Sequence, residues 1–133
     1  MTKVSDMEKN KLLIIDDDSR NIFALTAVLK AKGFSVVSAL SAKEGIDCLL
    51  NNKGIKLVLM DIMMPDMDGY EAIAKIRGRD ELDGIKVIAV TAQAMVGDRE
   101  KSLEAGADDY VSKPIDVDLL LQILNRYKTD DQG

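Results

Sequence analysis

Five short apolar segments alternate with amphipathic stretches along the chain, and this alternation constrains the fold more than any other feature. The apolar segments are Leu12 to Ile15, Phe34 to Val37, Leu57 to Met60, Val87 to Val90, and a weaker one at Tyr110 and Val111. Between them, apolar residues recur at helical spacing, as in the stretch 22–29 before Gly33 and the stretch 119–127 near the end. The pattern predicts five strands, each followed by a helix.

The predicted strands are apolar throughout instead of alternating between apolar and polar residues. Such strands need cover on both faces of the sheet, and helices of about ten residues between them supply right-handed crossovers. At 133 residues, the chain fits one domain with one core. We therefore expect an α/β fold with a doubly wound parallel sheet and helices on both faces.

Charged and polar residues follow the predicted strands where each one ends. Asp16 and Asp17 come after the first, Asp61 ends the third, Thr91 follows the fourth and Lys113 the fifth. The carboxyl ends of parallel strands meet in one crevice, so these side chains are expected to lie together. Two carboxylates about 4 Å apart repel by about 4 kcal/mol at an effective dielectric constant of ~20. A cation must therefore lie among them.

Carboxylates at neighbouring strand ends form a hard oxygen site, which suits Mg²⁺, with Mn²⁺ as an alternative. A carboxylate facing such an ion can act as a nucleophile, and aspartyl phosphate is a recognised intermediate of phosphoryl transfer. The transferred group is negatively charged and needs a point cation and short donors around it. Lys113 and Thr91 meet that need.

Composition excludes several classes of protein. The chain has no histidine, which rules out Ser-His-Asp and Cys-His catalytic systems and histidine-ligated zinc. Its net charge of −5 makes a nucleic-acid partner unexpected. There is no apolar stretch of about 20 residues and no secretory leader at the start, so we expect no membrane association and a cytoplasmic location. The single cysteine, Cys48, is expected to be a buried, inert thiol.

Four motifs, in order, resemble the receiver domain of two-component response regulators, a chemotaxis-regulator-like family. They are the acidic cluster Ile15 to Asp18, the segment Leu59 to Gly69 around Asp61, the run Val90-Thr91-Ala92, and the segment Gly106 to Pro114. The resemblance spans about Lys11 to Tyr127 and implies a five-stranded, flavodoxin-like sheet with the strand order 2-1-3-4-5. The segments Asp68 to Ala72 and Ala89 to Ala94 also look like receivers fused to hybrid histidine kinases.

The resemblance implies a role for each site residue. Asp61 would accept phosphate from a phosphohistidine on a partner, and Lys113 would bind that phosphate. Asp17 and Asp61 would ligate Mg²⁺, together with the backbone carbonyl of Met63, while Asp16 would act through water. The module would catalyse its own phosphorylation and dephosphorylation without being an enzyme that turns over a metabolite.

The resemblance also implies a conformational switch, in which the Thr91 hydroxyl turns toward the phosphate and Tyr110 moves inward behind it. The output face would comprise the fourth helix, fifth strand and fifth helix, where an unidentified output protein binds. Met63 and Gln93 match positions where polar side chains influence attack by water. Because Met63 cannot position water, we expect a phosphorylated form that is not especially short-lived.

The resemblance divides the chain into a flexible N-terminal extension (1–10), a receiver domain (11–127) and a polar tail (128–133). The phosphate donor would be a histidine kinase or a histidine phosphotransfer protein, and the receiver itself a monomer or weak dimer. No DNA-binding or catalytic domain follows within these residues, so output is expected to pass through another protein. The sequence leaves open whether this is a freestanding regulator or a domain excised from a hybrid kinase.

Simpler interpretations remain for single residues. Asp16 and Asp17 would serve as turn residues if they pointed away from Asp61, whereas Asp18 is expected to cap the helix that begins at Ser19. Tyr110 would be a static core ring if no switch existed. The segment 66–69 resembles a calcium loop only superficially, because its glycine comes too early.

Three other functions compete with the receiver. A phosphatase with an aspartate nucleophile needs a second acid two residues later, where Met63 stands. A flavodoxin-like cofactor binder needs a first loop that cradles phosphate, which the acids at 16–18 would repel. A degenerate receiver that acts only as a docking domain would lack some of the residues needed for phosphorylation, yet every one of them is present.

Overall fold

The structure is a computed structural model that describes residues 11–64, 67–91 and 97–127. Its strands are β1 (Lys11–Ile15), β2 (Ser35–Ala39), β3 (Leu57–Asp61), β4 (Lys86–Thr91) and β5 (Asp109–Ser112). Its helices are α1 (Ser19–Ala31), α2 (Ala42–Asn51), α3 (Gly69–Arg77), α4 (Asp98–Ala105) and α5 (Val117–Tyr127), with a short 3₁₀ helix at Asp80–Leu82 between α3 and β4. Strands and helices therefore alternate as the apolar pattern predicts.

The five strands form one parallel sheet in the order β2-β1-β3-β4-β5. At the carboxyl edge of the sheet, Ile15 lies beside Met60 and Asp61 beside Val90. The order reverses at β1, because the chain moves outward from β1 to β2 and then crosses to β3 on the other side. The predicted doubly wound topology and strand order are confirmed, and the reversal places the ends of β1 and β3 next to each other.

Successive side chains of each buried strand contribute to opposite faces of the sheet, and the core therefore has two halves. Leu13 and Ile15 of β1 belong to one half, which also holds buried residues of α2 and α3. Leu12 and Ile14 belong to the other half, with buried residues of α1 and α5. Both faces of the sheet are covered, which explains why its strands are apolar at every position.

Side chains at three helix starts bind backbone N–H groups that have no partner within the helix. Asp18 accepts from the N–H groups of Arg20 and Asn21 at the start of α1. Ser41 does the same for α2 through Glu44, and Asp68 for α3 through Tyr70. The expectation that Asp18 is a helix cap is confirmed.

The second apolar segment needs a correction, because Phe34 lies just before β2 and not in it. Its side chain is buried with α1 and α5, while β2 continues to Ala39. Cys48 is only partly buried, and that burial raises the pKa of its thiol. The expected extension at 1–10, the tail at 128–133, Gln93 and Asp66 lie outside the described residues. Across the described ranges, no helix combines the length and apolar character needed to cross a bilayer.

Candidate functional site

Three carboxylates meet at the carboxyl edge of the sheet. Asp16 and Asp17 follow β1 directly, and Asp61 is the last residue of the neighbouring strand β3. One carboxylate oxygen from each lies within 4.8 Å of the other two. The predicted gathering of these acids is therefore present in the fold, and oxygen donors at this spacing fit a small divalent cation.

The three acids differ in their exposure to solvent. Asp16 and Asp61 are each only 3% exposed, whereas Asp17 is exposed. A buried carboxylate loses hydration and depends on nearby donors or cations for compensation. Two acids of the site are thus buried, and the third, Asp17, is accessible to solvent, so an ion could reach the site at Asp17.

Lys113 reaches this acidic cluster from the end of β5. Its Nζ lies 3.6 Å from Oδ2 of Asp61 and 3.8 Å from Oδ2 of Asp16. The backbone N–H of Lys113 donates to the carbonyl of Thr91 at 2.7 Å, and the Lys113–Pro114 peptide bond is cis. One ammonium is therefore shared by two buried acids. It reduces the repulsion between them, but one positive charge does not neutralise two carboxylates.

Asp61 combines burial with a neighbouring charge of the same sign. Its Oδ1 accepts the backbone N–H of Met63 at 3.1 Å. Loss of hydration on burial raises the pKa of the Asp61 carboxyl to about 6, and the negative charge of Asp16 adds to this effect. The Met63 N–H and the Lys113 ammonium oppose the rise. In the absence of an ion, the carboxyl of Asp61 is therefore harder to ionise than an ordinary aspartate side chain.

Asp16 is held at both carboxylate oxygens by the connection between β1 and α1. Oδ1 accepts the backbone N–H of Asp18 at 2.9 Å, and Oδ2 accepts the side-chain amide of Asn21 at 2.6 Å. Asn21 was not predicted from the sequence to be a site residue. Its only signal is a polar residue in the first turn of α1, next to the buried Ile22, which does not by itself indicate a contact with the site.

The remaining predicted residues lie at the same edge or near it. Thr91 is buried at the end of β4, the strand between β3 and β5. Tyr110 lies in β5 beside Ala89 and packs, partly buried, against the half of the core that contains α2 and α3. Met63 is 68% exposed, and the hydrogen bond it makes with Asp61 comes from its backbone N–H.

A family model for the response regulator receiver domain matches residues 12–125 of this chain. The chain belongs to the response regulator receiver domain family. Receiver domains of this kind are part of two-component and phosphorelay signalling systems, and the acidic cluster at residues 16, 17 and 61 is compatible with magnesium binding.

Two comparisons place this receiver domain among known proteins. Hybrid signal transduction histidine kinase I of Dictyostelium discoideum is 39% identical over 127 residues, which cover 91% of this chain and 7% of the kinase. The receiver domain therefore spans a small part of that relative. The receiver domain of sensor histidine kinase PA1611 from Pseudomonas aeruginosa is 30% identical, with a TM-score of 0.82, and the match covers 91% of this chain and 98% of that one. That structure has a magnesium ion coordinated in its active-site cleft.

A third similar structure contains a complex. It is the co-crystal of the Saccharomyces cerevisiae histidine phosphotransfer protein Ypd1 with the receiver domain of its downstream response regulator Ssk1. The match has a TM-score of 0.80 and 25% identity, and it covers 89% of this chain and 88% of that one. Receiver domains similar to this one thus include one that binds a histidine phosphotransfer protein.

Proposed function

We propose that Asp61 is the phosphoacceptor of this receiver domain and takes a phosphoryl group from a phosphohistidine on a partner protein. The observation that supports this most strongly is the convergence of Asp16, Asp17 and Asp61 within 4.8 Å, with the Lys113 ammonium 3.6 Å from Asp61. Like-charged groups in this arrangement are costly for folding, so their presence points to chemistry and not to stability.

The reaction is a displacement at phosphorus. A carboxylate oxygen of Asp61 forms a bond to phosphorus as the bond from phosphorus to the histidine nitrogen breaks, and the electron pair of that bond stays on the imidazole. Lys113, already beside Asp61 Oδ2, neutralises charge on the phosphoryl oxygens. The backbone N–H of Met63 holds the other oxygen and so fixes the plane of the nucleophile.

Mg²⁺ is the proposed cofactor, with Mn²⁺ as an alternative. Asp17 and Asp61 would hold it directly, Met63 would contribute its backbone carbonyl, and Asp16 would act through water. When bound, the ion supplies positive charge shared by the carboxylates and the phosphoryl oxygens. The exposed position of Asp17 and the magnesium ion in the similar PA1611 receiver support this assignment.

The proposed donor is a histidine kinase or a histidine phosphotransfer protein. These 133 residues contain no histidine, so the phosphohistidine must lie outside them. The complex of the similar Ssk1 receiver with Ypd1 supports a phosphotransfer protein as one such donor. In this role the domain catalyses its own phosphorylation and dephosphorylation and passes a signal on.

The proposed response to phosphorylation is a rearrangement of Thr91 and Tyr110. Thr91 ends β4, which lies between β3 and β5, so it is at the edge of the sheet where a dianion on Asp61 would form, and its hydroxyl would donate to that dianion. Tyr110 is only partly buried and can occupy more of the core if space opens. The output protein would then bind the face formed by α4, β5 and α5.

The direct test of phosphorylation is intact-protein mass spectrometry after incubation with acetyl phosphate and Mg²⁺. The wild-type chain should gain one phosphate, and Asp61→Asn should gain none. Asp18→Asn is the matched control, because asparagine also caps helices and can accept the same N–H groups at the start of α1. An Asp61→Asn protein that gains phosphate as the wild type does would refute the assignment.

The switch has its own test, which is amide hydrogen exchange with and without phosphorylation. Phosphorylated wild type should change its protection in β5 and α4. Thr91→Ala should still gain phosphate at Asp61 but lose that change, because the hydroxyl that follows the phosphate is missing. A Thr91→Ala protein with the full wild-type change would overturn the proposed role of Thr91.

A further inference from the structure

The side-chain amide of Asn21 makes a very short contact with a buried acid of the site. Its Nδ2 donates to Oδ2 of Asp16 at 2.6 Å, and Asp16 is 3% exposed. Hydrogen bonds to an ionised carboxylate are stronger than hydrogen bonds between neutral groups. A buried carboxylate depends on them because it has lost its hydration. We propose that Asn21 is a positioning residue of the phosphoacceptor site, which acts on the bound ion and on Asp61 through Asp16. This inference rests on the proposed function.

Asn21 is itself held by the first turn of α1. Its backbone N–H donates to Oδ1 of Asp18, the residue that caps the helix. The next residue, Ile22, is buried in the half of the core shared by α1 and α5. The helix therefore fixes the direction of the Asn21 amide, and packing of Ile22 in the core fixes the position of the helix. A side chain anchored in this way can hold Asp16 in one orientation.

Asp16 Oδ2 lies between two donors. The Asn21 amide is at 2.6 Å and the Lys113 ammonium at 3.8 Å. The same ammonium is 3.6 Å from Asp61 Oδ2. Because Asn21 satisfies Oδ2 of Asp16, Lys113 is not drawn fully to Asp16 and stays within reach of Asp61. Asn21 thus influences how one cation is divided between the two buried acids.

Loss of the Asn21 amide has two consequences for the site. Asp16 Oδ2 would then turn to Lys113, which moves the ammonium away from Asp61. Asp16 would keep the Asp18 N–H at Oδ1 but lose its hydrogen-bond donor at Oδ2, so the position of that second oxygen would no longer be preorganised for an ion. Groups that orient metal-binding residues from outside commonly change metal affinity by about 10- to 100-fold when removed.

The test measures Mg²⁺ binding by isothermal titration calorimetry, together with the melting temperature in the absence of Mg²⁺. Asn21→Leu keeps the branched shape of the side chain at a somewhat larger volume and removes the donor, and Asn21→Ala removes both the shape and the donor. Each should raise the Kd for Mg²⁺ by about 10- to 100-fold. The control is Arg20→Ala, because Arg20 is in the same helical turn, its side chain is 93% exposed and it pairs with Asp18. Arg20→Ala should leave the Kd within about twofold of wild type.

A double mutant separates positioning from a general effect on the fold. If Asn21 acts through Asp16, Asn21→Leu should have little further effect on the Kd in an Asp16→Asn background. Full additivity of the two substitutions, or a lower melting temperature with an unchanged Kd, would overturn the inference and leave Asn21 a structural residue. A wild-type protein that neither binds Mg²⁺ nor gains phosphate would instead refute the proposed function itself.

Discussion

The Lys113 ammonium lies 3.6 Å from Oδ2 of Asp61, although Asp61 ends β3 and Lys113 follows β5, two strands that are not neighbours in the sheet. β4 separates β3 from β5, and the contact is made above its end, where Thr91 is buried. The ammonium of Lys113 and the carboxylate of Asp61 therefore meet at the carboxyl edge of the sheet, with β4 between their strands. This arrangement has measurable consequences for phosphorylation, pH-dependent stability and metal binding.

Replacing Lys113 should slow phosphorylation. Lys113→Met keeps most of the side-chain length and removes the charge that compensates Asp61 and the phosphoryl oxygens. Loss of one such electrostatic group typically costs about 10²-fold in rate. The measurement is the initial rate of phosphate gain from acetyl phosphate with Mg²⁺. Lys43→Met is the control, since Lys43 pairs with Asp47 on the exposed surface of α2. Equal rates for Lys113→Met and wild type would contradict the role of Lys113.

The raised pKa of Asp61 predicts how stability depends on pH in the metal-free protein. Burial raises the pKa from 3.8 to about 6, so between these values the folded state binds more protons than the unfolded state. The free energy of unfolding therefore falls as pH rises through this window. Asparagine does not ionise, so the free energy of unfolding of Asp61→Asn should not fall in this window. At pH 8 this variant should therefore be more stable than wild type by about 3 kcal/mol.

This difference should disappear near pH 4, where the Asp61 carboxyl is protonated in the folded protein. The measurement is urea unfolding in the presence of a chelator at pH 4, 6 and 8. An Asp61→Asn advantage that is the same at all three values would mean that burial does not raise the pKa of this carboxyl.

Mg²⁺ should raise the melting temperature, because the ion binds the folded acidic cluster and not the unfolded chain. Asp17→Ala should abolish this rise, since Asp17 supplies one of the three converging carboxylates. Asp18→Ala should lose about 1 kcal/mol of stability, as expected for a lost helix cap, yet keep the rise. Differential scanning fluorimetry with and without millimolar Mg²⁺ measures both, and a wild-type protein with no rise would leave the metal site without support.

Arg77 should be important for stability and not for phosphorylation. Its guanidinium donates to the carbonyls of Gly106 and Ile85 at 2.8 and 2.6 Å and to Asp108 at 2.7 Å. Removing this group takes a donor from two backbone carbonyls and from the carboxylate of Asp108, so Arg77→Ala should cost about 1 to 3 kcal/mol in chemical denaturation. Arg77→Lys should not restore it, because an ammonium cannot reproduce the planar fork.

The matched control for Arg77 is Arg126→Ala. Arg126 also pairs with an aspartate, Asp109, at 3.0 Å, but its side chain is 59% exposed. An exposed pair of this kind contributes about 1 kcal/mol or less. A larger loss for Arg126→Ala than for Arg77→Ala would contradict the importance assigned to the Arg77 contacts.

Gly69 should be required at the start of α3. A Cβ at this position would lie 2.5 Å from Cα of Ile62 and 2.8 Å from the carbonyl oxygen of Asp61, both of which are backbone atoms. Gly69→Ala must therefore displace the loop that carries the Met63 N–H, and we expect a loss of about 1 to 3 kcal/mol together with slower phosphorylation. Gly54→Ala is the control, because among the described residues its Cβ would meet Lys11 Cδ alone, at an ordinary contact distance of 3.8 Å. Wild-type stability and rate for Gly69→Ala would show that the loop can move without consequence.

Much of the fold and of the candidate site was predictable because it depends on local pattern. Strands that are apolar at every position require cover on both faces, which indicated the layered α/β architecture before any coordinates. Asp16, Asp17 and Asp61 follow the strands that end at one edge of a parallel sheet, and their proximity is a direct consequence of that topology. The position of Phe34 was not predictable in this way, because an apolar residue just outside a strand has the same pattern as one inside it.

Hydrophobic periodicity is a property of neighbouring positions, so the amino-acid sequence was enough to put Asp16 and Asp17 after the first strand and Asp61 at the end of the third. Three features became evident only in the fold: Asn21 binds Asp16, Arg77 reaches Gly106 and Asp108, and burial raises the pKa of Asp61. These features depend on how helices pack against loops and on how much water each group loses. Such quantities are set by contacts between segments far apart in the chain, and no local pattern of residues encodes them.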